Sequence, residues 1–302
     1  MANFTILKNN KLITAHEWNN KICSFHSPFK ENLLVKDKRQ AKRLIDTSLK
    51  NAIDLRAKDN FGILFSGGLD SSLIALICKK LNKKFVCYSI GLENSSDLDY
   101  AKKAALMLDL ELKIKELSIE EVEKYLVECI KLLNTKDVVK LEIAIVVYAG
   151  LEFAAKDKCF NIFAGNGSEE IFAGYERHIN FNKEGPKKVY EECWNGLKSC
   201  YNRDIVRDYA IAKKFSCNLL LPFFDFDLIR NAMKIHPSLK VNENEKKIIL
   251  REYADDLGLP KEIAYRKRTA AQYGSKISYA IQKLAKKKGF KYKQEYINSI
   301  NI

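Results

Sequence analysis

The chain of 302 residues has little proline and glycine, and it lacks any long apolar run. Five Pro and 13 Gly exclude a collagenous or linker-rich chain. The longest apolar stretch, around residues 143–151, is far shorter than the ~20 residues that a membrane-spanning helix needs. The first residues show no basic segment followed by an apolar one. We therefore expect no secretory signal, no membrane partner and a cytoplasmic protein.

Cysteine and histidine lack the spacing of metal ligands. No two of the 8 cysteines lie two to four residues apart, which excludes a zinc ribbon or a redox pair. Several cysteines lie inside apolar runs, where a free thiol behaves as a small buried hydrophobe. We predict structural thiols, and no metal ligand among the 4 scattered histidines.

Acidic residues are fewer than basic ones: the chain has 38 Asp and Glu against 52 Lys and Arg, which gives a formal net charge of +14. Such an excess favours a polyanionic partner, either a nucleic acid or the phosphates of a nucleotide. Most of the basic residues are lysines spread through helical patterns, which is typical of a solvated surface. No module of interleaved aromatic and basic residues for RNA is visible, so a nucleic-acid partner is disfavoured.

Strand and helix patterns alternate through the first half of the chain. A strand–turn–strand pattern at residues 4–13 is followed by alternating apolar strands and amphipathic helices between residues 61 and 164. This alternation predicts an α/β fold with a doubly wound, mostly parallel sheet covered on both faces. After Tyr175 we predict that strands stop and helices follow, one of them over residues 187–209. The predicted divisions are a short N-terminal appendage at 1–40, an α/β domain at 41–185 and a helical C-terminal part at 186–302.

The sharpest motif is Ser66-Gly67-Gly68-Leu69-Asp70-Ser71-Ser72, between a predicted strand and a predicted helix. Its two glycines remove Cβ atoms where the backbone must turn tightly and approach a ligand. The free N–H groups of the following helix N-terminus favour phosphate. The serine hydroxyls add donors, and a carboxylate at Asp70 suits Mg²⁺ beside those phosphates. The spacing differs from that of a Walker A loop.

This loop is similar to the pyrophosphate-binding (PP) loop of the ATP pyrophosphatase superfamily, whose members cleave ATP between its α- and β-phosphates. A second segment, residues 165–175, resembles the signature of the asparagine synthetase synthase domain. Residues 204–208, 222–225 and 247–266 agree with further segments of that family in order and spacing. The resemblance covers residues from about 40 to 280 and implies a PP-loop ATP-binding fold.

The resemblance also implies an activity, AMP-forming amide synthesis. A substrate carboxylate attacks the α-phosphorus of Mg·ATP, pyrophosphate leaves, and ammonia displaces AMP from the acyl-adenylate. By resemblance, the site residues are Asp70 and Glu169 for the metal, Leu64 and Ile90 beside adenine, Ser66, Gly67, Gly68, Ser71, Ser72 and Gly165 for the nucleotide, and Asn166, Asp204, Lys267 and Arg268 for catalysis.

Two positions depart from the family pattern. Asn166 stands where most members carry Glu, and an amide cannot accept a proton from the attacking nitrogen although it can position an amine. The cation that contacts the phosphates aligns with Arg268, and Lys267 lies beside it, so either is a candidate. Asp204 has an alternative role in a helix salt bridge with Arg207. Glu169 also has an alternative role, as a carboxylate that stabilises a helix N-terminus through the helix dipole.

Family members that use glutamine carry an N-terminal glutaminase domain with Cys after the initiator Met. Here the second residue is Ala2, and about forty residues precede the synthase-like region. We therefore expect the chain to use free ammonia, another amine, or a separate glutaminase subunit, with aspartate to asparagine as the favoured conversion. Three alternatives stay open: the same adenylation on another carboxylate or amine, as in β-lactam-forming relatives, a tRNA-modifying pyrophosphatase, or a nucleotide-binding relative without catalysis.

Overall fold

The computed structural model describes residues 7–8, 11–58, 60–267 and 269–301. The strands are β1 Leu7–Lys8, β2 Lys11–Leu12, β3 Phe61–Leu64, β4 Phe85–Leu92, β5 Leu112–Leu117, β6 Asn161–Phe163 and β7 Asn218–Leu220. Strands β1 and β2 pair with each other in antiparallel fashion. The other five form one parallel sheet in the order β5-β4-β3-β6-β7.

Helices surround this sheet and account for most of the C-terminal part. They are α1 Ala15–Phe25, α2 Lys38–Asp54, α3 Leu69–Lys80, α4 Ser96–Leu108, α5 Ile119–Leu133, α6 Val138–Lys156, α7 Ser168–Ile171, α8 Glu176–Asn182, α9 Pro186–Cys200, α10 Val206–Lys214, α11 Phe226–Met233, α12 Ile248–Asp256, α13 Lys261–Ala264, α14 Ala271–Gly274, α15 Ile277–Lys287 and α16 Lys293–Ser299. None of the helices in the described ranges is long and apolar enough to cross a membrane.

The strand order reverses next to β3. The chain runs from β3 through β4 to β5 on one side, then returns to place β6 and β7 on the other side of β3. Right-handed crossovers in opposite directions place helices on both faces of the sheet. The reversal opens a crevice at the carboxyl ends of β3 and β6, where sheets of this kind bind ligands. The predicted doubly wound parallel fold is confirmed.

Helix α3 is held rigidly beneath this crevice. Strand β3, which precedes it, has three consecutive buried residues, Phe61, Gly62 and Ile63, as expected of a strand covered on both faces. From Ser71 to Cys78 every residue of α3 is buried, and the helix packs against α2, α12 and α13. The N-terminus of α3 is therefore a fixed feature of the core.

One prediction for the second half of the chain is wrong. Strands do not stop after Tyr175, because β7 pairs with β6 and completes the sheet edge. The helix predicted at residues 187–209 is confirmed, with a π-helical turn, Tyr201–Ile205, between α9 and α10.

Three further predictions have different outcomes. Of the strand–turn–strand pattern at residues 4–13, residues 4–6, 9 and 10 lie outside the described residues. The division of the chain at residues 40 and 185 stays a prediction. All eight cysteines carry free thiols, and the structural role predicted for them is confirmed for the seven that are buried.

Candidate active site

A cleft of about 670 Å³ opens at the carboxyl edge of the sheet. Its walls come from the β3–α3 loop, the β6–α7 segment, the π-helical turn, the start of α12 and the segment 266–272. The predicted site residues that line it are Ser66, Gly68, Asp70, Gly165, Asn166, Glu169, Asp204 and Lys267. The structure therefore brings together residues from four separate parts of the sequence.

The loop at residues 66–72 turns as the glycine pair predicts. Gly67 adopts φ 63°, and a Cβ there would lie 2.3 Å from the carbonyl carbon of Tyr100 in α4. Gly68 is the N-cap of α3 and provides no side-chain cap, so the first N–H groups of this helix stay available to a ligand. Ser71 and Ser72 are buried and do not line the cleft among the described residues. Their predicted contact with the nucleotide stays a prediction.

Arg266 fixes this loop from the opposite wall, a contact that the sequence pattern did not single out. Its Nη1 donates to the Ser66 carbonyl oxygen at 2.8 Å, and its Nη2 donates to Oδ1 of Asp97 at 2.8 Å. The guanidinium stacks on Tyr100, 3.8 Å from the ring centroid. Burial raises the pKa of Asp97, and the Arg266 ion pair acts against that rise. The loop is thus held at a defined distance from α4.

Lys247 lies between the two carboxylates predicted to bind a metal. Its Nζ is 2.7 Å from Oδ2 of Asp70 and 2.7 Å from Oε1 of Glu169, and it donates to Oγ of Ser168 at 2.8 Å. Only 3% of the Lys247 side chain is exposed. Lys247 is the N-cap of α12 and has a left-handed backbone conformation, with φ 56°. It lines the cleft from this position. Asp70 and Glu169 meet as predicted, but around an ammonium group.

Gly174 makes this close approach possible. A Cβ at this position would lie 1.9 Å from Oε2 of Glu169 and 2.4 Å from Cε of Lys247. At these distances the atoms would clash, because the Glu169 carboxylate and the Lys247 side chain occupy the space that a side chain at position 174 would need. Gly174, near the end of the 165–175 segment, therefore leaves the room that the Glu169–Lys247 ion pair needs.

The donor set at Asp70 and Glu169 fits Mg²⁺. Both supply carboxylate oxygens, which are hard ligands. One oxygen of each carboxylate lies 2.7 Å from Nζ of Lys247, so the distance between these two oxygens is at most twice 2.7 Å. No group of three or more His, Cys, Asp or Glu side chains suited to a metal occurs in the described residues. Mg²⁺ commonly binds to one or two carboxylates together with substrate phosphates, so two carboxylates suffice.

The π-helical turn supplies a second charged wall. A buried carboxylate, Glu170, accepts from Nη2 of Arg203 and from the hydroxyl of Tyr175, both at 2.6 Å. Burial raises the pKa of Glu170, whereas the Tyr175 hydrogen bond and Arg203 lower it. Such π-helical turns interrupt helices frequently at functional sites. Here the turn directs Arg203 and Asp204 into the cleft.

Asp204 is fixed by two arginines. Nε of Arg203 donates to its Oδ2 at 2.8 Å, and Nη1 of Arg207 donates to its Oδ1 at 3.2 Å. The helix salt bridge with Arg207 is therefore formed, and Asp204 lines the cleft as well. A second acidic residue of this helical segment, Asp208, accepts a hydrogen bond from the amide of Asn166 at 2.8 Å.

The remaining predicted site residues are the two candidate cations and the two residues predicted to lie beside adenine. Lys267 is exposed and lines the cleft, whereas Arg268 lies outside the described residues, so the choice between these cations stays open. Leu64 is half-buried against Gly150 of α6, and Ile90 is buried. Neither is among the described residues that line the cleft, and their predicted place beside adenine stays a prediction.

The cleft carries more positive than negative charge. Nine basic and six acidic side chains line it among the described residues, an excess of three cations. The basic ones are Lys140, Arg177, Arg203, Arg207, Lys246, Lys247, Arg251, Arg266 and Lys267. An excess of this sign in a cleft attracts an anionic ligand.

Comparisons with known proteins identify relatives of this chain. The asparagine synthase family model matches residues 42–183 and 180–288. A Methanocaldococcus jannaschii protein that carries the name of a putative glutamine-hydrolysing asparagine synthetase is 32% identical over 290 residues, covering 84% of this chain and 53% of its own length. The Gallus gallus glutamine-hydrolysing asparagine synthetase is 31% identical over 274 residues, covering 87% and 47%. The chain thus spans about half the length of these relatives. NMN synthetase from Francisella tularensis aligns with a TM-score of 0.43 and 13% identity, over 88% of this chain and 87% of that one.

Proposed function

The chain belongs to the asparagine synthase family, and from that premise we propose that it catalyses ATP-dependent, AMP-forming synthesis of an amide. In this reaction a carboxylate oxygen attacks the α-phosphorus of ATP and the bond to the bridging oxygen breaks, releasing pyrophosphate. The amine nitrogen then attacks the acyl carbon, AMP leaves with the bonding electron pair, and the nitrogen loses one proton. We propose aspartate and ammonia as the substrates and asparagine as the product.

One observation carries this proposal. Asp70 and Glu169 lie in the first turns of two helices, α3 and α7, that follow different strands, yet both contact the same ammonium at the mouth of the uncapped α3 N-terminus. The two carboxylates can hold a divalent cation, and the free backbone N–H groups of α3 lie beside them. A cation and N–H donors at this place would compensate the negative charge that builds up on pyrophosphate as it leaves. The excess of basic side chains around them adds to this compensation.

In the first step, Ser66, Gly68 and the first turn of α3 bind the pyrophosphate that leaves. Asp70 and Glu169 would hold Mg²⁺, which would supply Lewis-acid stabilisation of phosphate oxygens when bound. Lys267 or Arg268 compensates the charge that builds on the phosphates. Arg266 keeps the loop in place through the Ser66 carbonyl, so that the donors need little reorganisation during the reaction.

In the second step, the far wall of the cleft positions the acyl group and the amine. Arg177, Arg203 and Lys246 line this wall and suit the second carboxylate of an aspartate-like substrate. Asp204, fixed by Arg203 and Arg207, suits the α-ammonium of such a substrate or the amine itself. Asn166 offers a neutral amide to the nucleophile.

The decisive experiment combines a substrate screen with an isotope label. The purified chain is incubated with Mg·ATP, ammonium and single carboxylic acids, and AMP, pyrophosphate and the amide are measured by mass spectrometry. With ¹⁸O in the carboxylate, one labelled oxygen must appear in AMP, because that oxygen forms the new bond to phosphorus. ADP with orthophosphate as products, or unlabelled AMP, would contradict the proposal.

A second candidate is the same adenylation with another carboxylate or amine nucleophile. Asn166 favours it, because a neutral amide can orient an amine by hydrogen bonding without taking up a proton. The screen separates the candidates when primary amines replace ammonium. Product formed from an amine in preference to ammonia would support the second candidate.

A further inference from the structure

We propose that Asp208 is a positioning residue for the amine nucleophile, acting through Asn166. In this inference, Asp208 holds the Nδ2 group of Asn166 so that the carbonyl Oδ1 of the same amide receives an N–H of the amine. The inference rests on the proposed function, since it concerns the second step of that reaction. Asp208 lies 42 residues from Asn166 in the sequence, so only the fold brings the two together.

Asp208 is immobilised by a bidentate ion pair. Only 2% of the residue is exposed. Nε of Arg207 donates to Oδ1 at 2.7 Å and Nη2 donates to Oδ2 at 3.1 Å, and Arg207 is equally buried. A parallel pair of charge-assisted hydrogen bonds fixes the carboxylate in orientation as well as position. Since Nη1 of Arg207 also contacts Asp204, the guanidinium itself is held from two sides.

The carboxylate decides how the Asn166 amide is turned. An ionised carboxylate only accepts hydrogen bonds, so the amide must present its NH₂ group to Oδ2 of Asp208, at 2.8 Å. Asn166 lines the cleft, and its Oδ1 accepts no hydrogen bond from a described residue. The carbonyl oxygen is therefore the group that Asn166 offers to a ligand.

The two residues are matched in charge. Asn166 and Asp208 together carry one negative charge next to Arg207. A glutamate at 166 would bring a second carboxylate against Asp208, and two carboxylates that share a site repel each other. Exchanging the two roles, with Glu at 166 and Asn at 208, restores one negative charge and a hydrogen-bonded pair. The pair therefore predicts that N166E is harmful alone and tolerated together with D208N.

A carbonyl acceptor also defines which form of the amine reacts. Ammonium has no lone pair, and a neutral amide cannot remove its proton, so the productive species is neutral ammonia. The rate of amide formation at fixed total ammonium should then follow the unprotonated fraction as pH rises. A carboxylate at position 166 would attract ammonium and accept its proton, so the exchanged pair should work at lower pH than the wild type.

The test measures the two steps separately in wild type, D208N, N166A, D208N/N166A, N166E and N166E/D208N. Carboxylate-dependent exchange of labelled pyrophosphate into ATP reports adenylation, and ammonium titrations of amide formation report the second step. For D208N we expect exchange within about threefold of wild type, and for both D208N and N166A we expect a KM for ammonia raised about tenfold or more. The D208N/N166A double variant should be no worse than N166A, because both residues act as one unit.

The exchanged pair gives the sharpest readout. N166E should lose most amide synthesis, and N166E/D208N should recover it with a pH profile displaced to lower pH. Pyrophosphate exchange also serves as the folding control, since an unfolded variant cannot perform it. An unchanged KM for ammonia in D208N, together with a pH profile of N166E/D208N that matches the wild type, would overturn the inference. No exchange by the wild type with any carboxylate would instead overturn the proposed function.

Discussion

Lys247 and Asp70 are 177 residues apart in the sequence, and the lysine Nζ contacts both carboxylate oxygens of the aspartate, at 3.0 and 2.7 Å. The same Nζ contacts Glu169 at 2.7 Å. A cation already occupies the point where the two carboxylates converge. If these carboxylates hold Mg²⁺, as we propose, the ion would take the place that the Lys247 ammonium has in this structure.

The first prediction concerns this ammonium. K247M should lower the stability of the protein without ligands by about 1–3 kcal/mol, because the two carboxylates then face each other with their charges uncompensated. Mg²⁺ should restore part of the loss and raise the melting temperature of K247M by about 2–6 °C, more than that of wild type. Thermal melts over a Mg²⁺ series measure this effect. K246M is the matched control, because Lys246 pairs with the exposed Glu176. Equal responses of wild type and K247M would place the metal elsewhere.

The second prediction concerns the two carboxylates. D70N and E169Q should each reduce pyrophosphate release at least ~100-fold, and the double variant should be little worse than either single variant because both act on one ion. The measurement is pyrophosphate release under saturating Mg·ATP. D227N, which alters an exposed carboxylate in α11 outside the described cleft lining, serves as the control. Full activity of D70N would contradict the role of the loop itself.

The third prediction concerns Gly174. G174A should displace Glu169 and Lys247, since the added methyl group would lie 1.9 Å from the glutamate oxygen. We expect pyrophosphate release to fall about as far as in E169Q, with stability reduced by about 1–3 kcal/mol through overpacking. Activity assays and denaturant melts of G174A check both effects. A variant that melts like wild type and keeps its activity would show that the segment has room to move.

The fourth prediction concerns Lys240, a lysine that is 1% exposed and lies 3.9 Å from the sulfur of Met233. Burial lowers the pKa of Lys240 to about 8. Between this value and the ordinary lysine pKa the unfolded chain binds more protons than the native one, so the stability of wild type rises with pH in this window.

K240M removes this titration. It should stabilise the protein by about 1–3 kcal/mol at about pH 7, where the buried lysine is charged, and by less at about pH 10, where it is neutral. Urea unfolding at both pH values measures the difference. K234M provides the control, because Lys234 is an exposed lysine close by in the sequence and its loss should change stability little at either pH. A stabilisation by K240M that is the same at both pH values would assign the gain to packing alone.

Periodicity and motif chemistry predict the centre of this molecule well. A short apolar run such as Phe61–Leu64, bounded by turn residues, is typical of a buried strand, and the glycine pair that follows favours the turn that the structure shows. A capping box of Ser118 and Glu121 opens α5, and this spacing of Ser and Glu is typical of a helix N-terminus. A second capping box, Thr14 with Glu17, opens α1, and this signal could have identified the helix from the sequence.

Other features depend on contacts that no local pattern contains. Strand β7 has three residues in a longer apolar stretch, and only its pairing with β6 makes it a strand. The π-helical turn differs from an α-helix by hydrogen bonding rather than by composition. The position of Lys247 follows from a left-handed backbone at the start of α12, and the pairing of Asn166 with Asp208 follows from the packing of two distant segments.

Two contacts across the cleft also affect how the chain folds. Asp70 pairs with Lys247, which lies 177 residues later, and the Ser66 carbonyl oxygen accepts a hydrogen bond from Arg266, which lies 200 residues later. We expect contacts of such long range to form late, because the loop entropy of the intervening chain must first be overcome. During synthesis the loop at residues 66–72 and helix α3 can form well before Lys247 and Arg266 emerge from the ribosome. The proposed nucleotide site would then be completed among the last steps of folding.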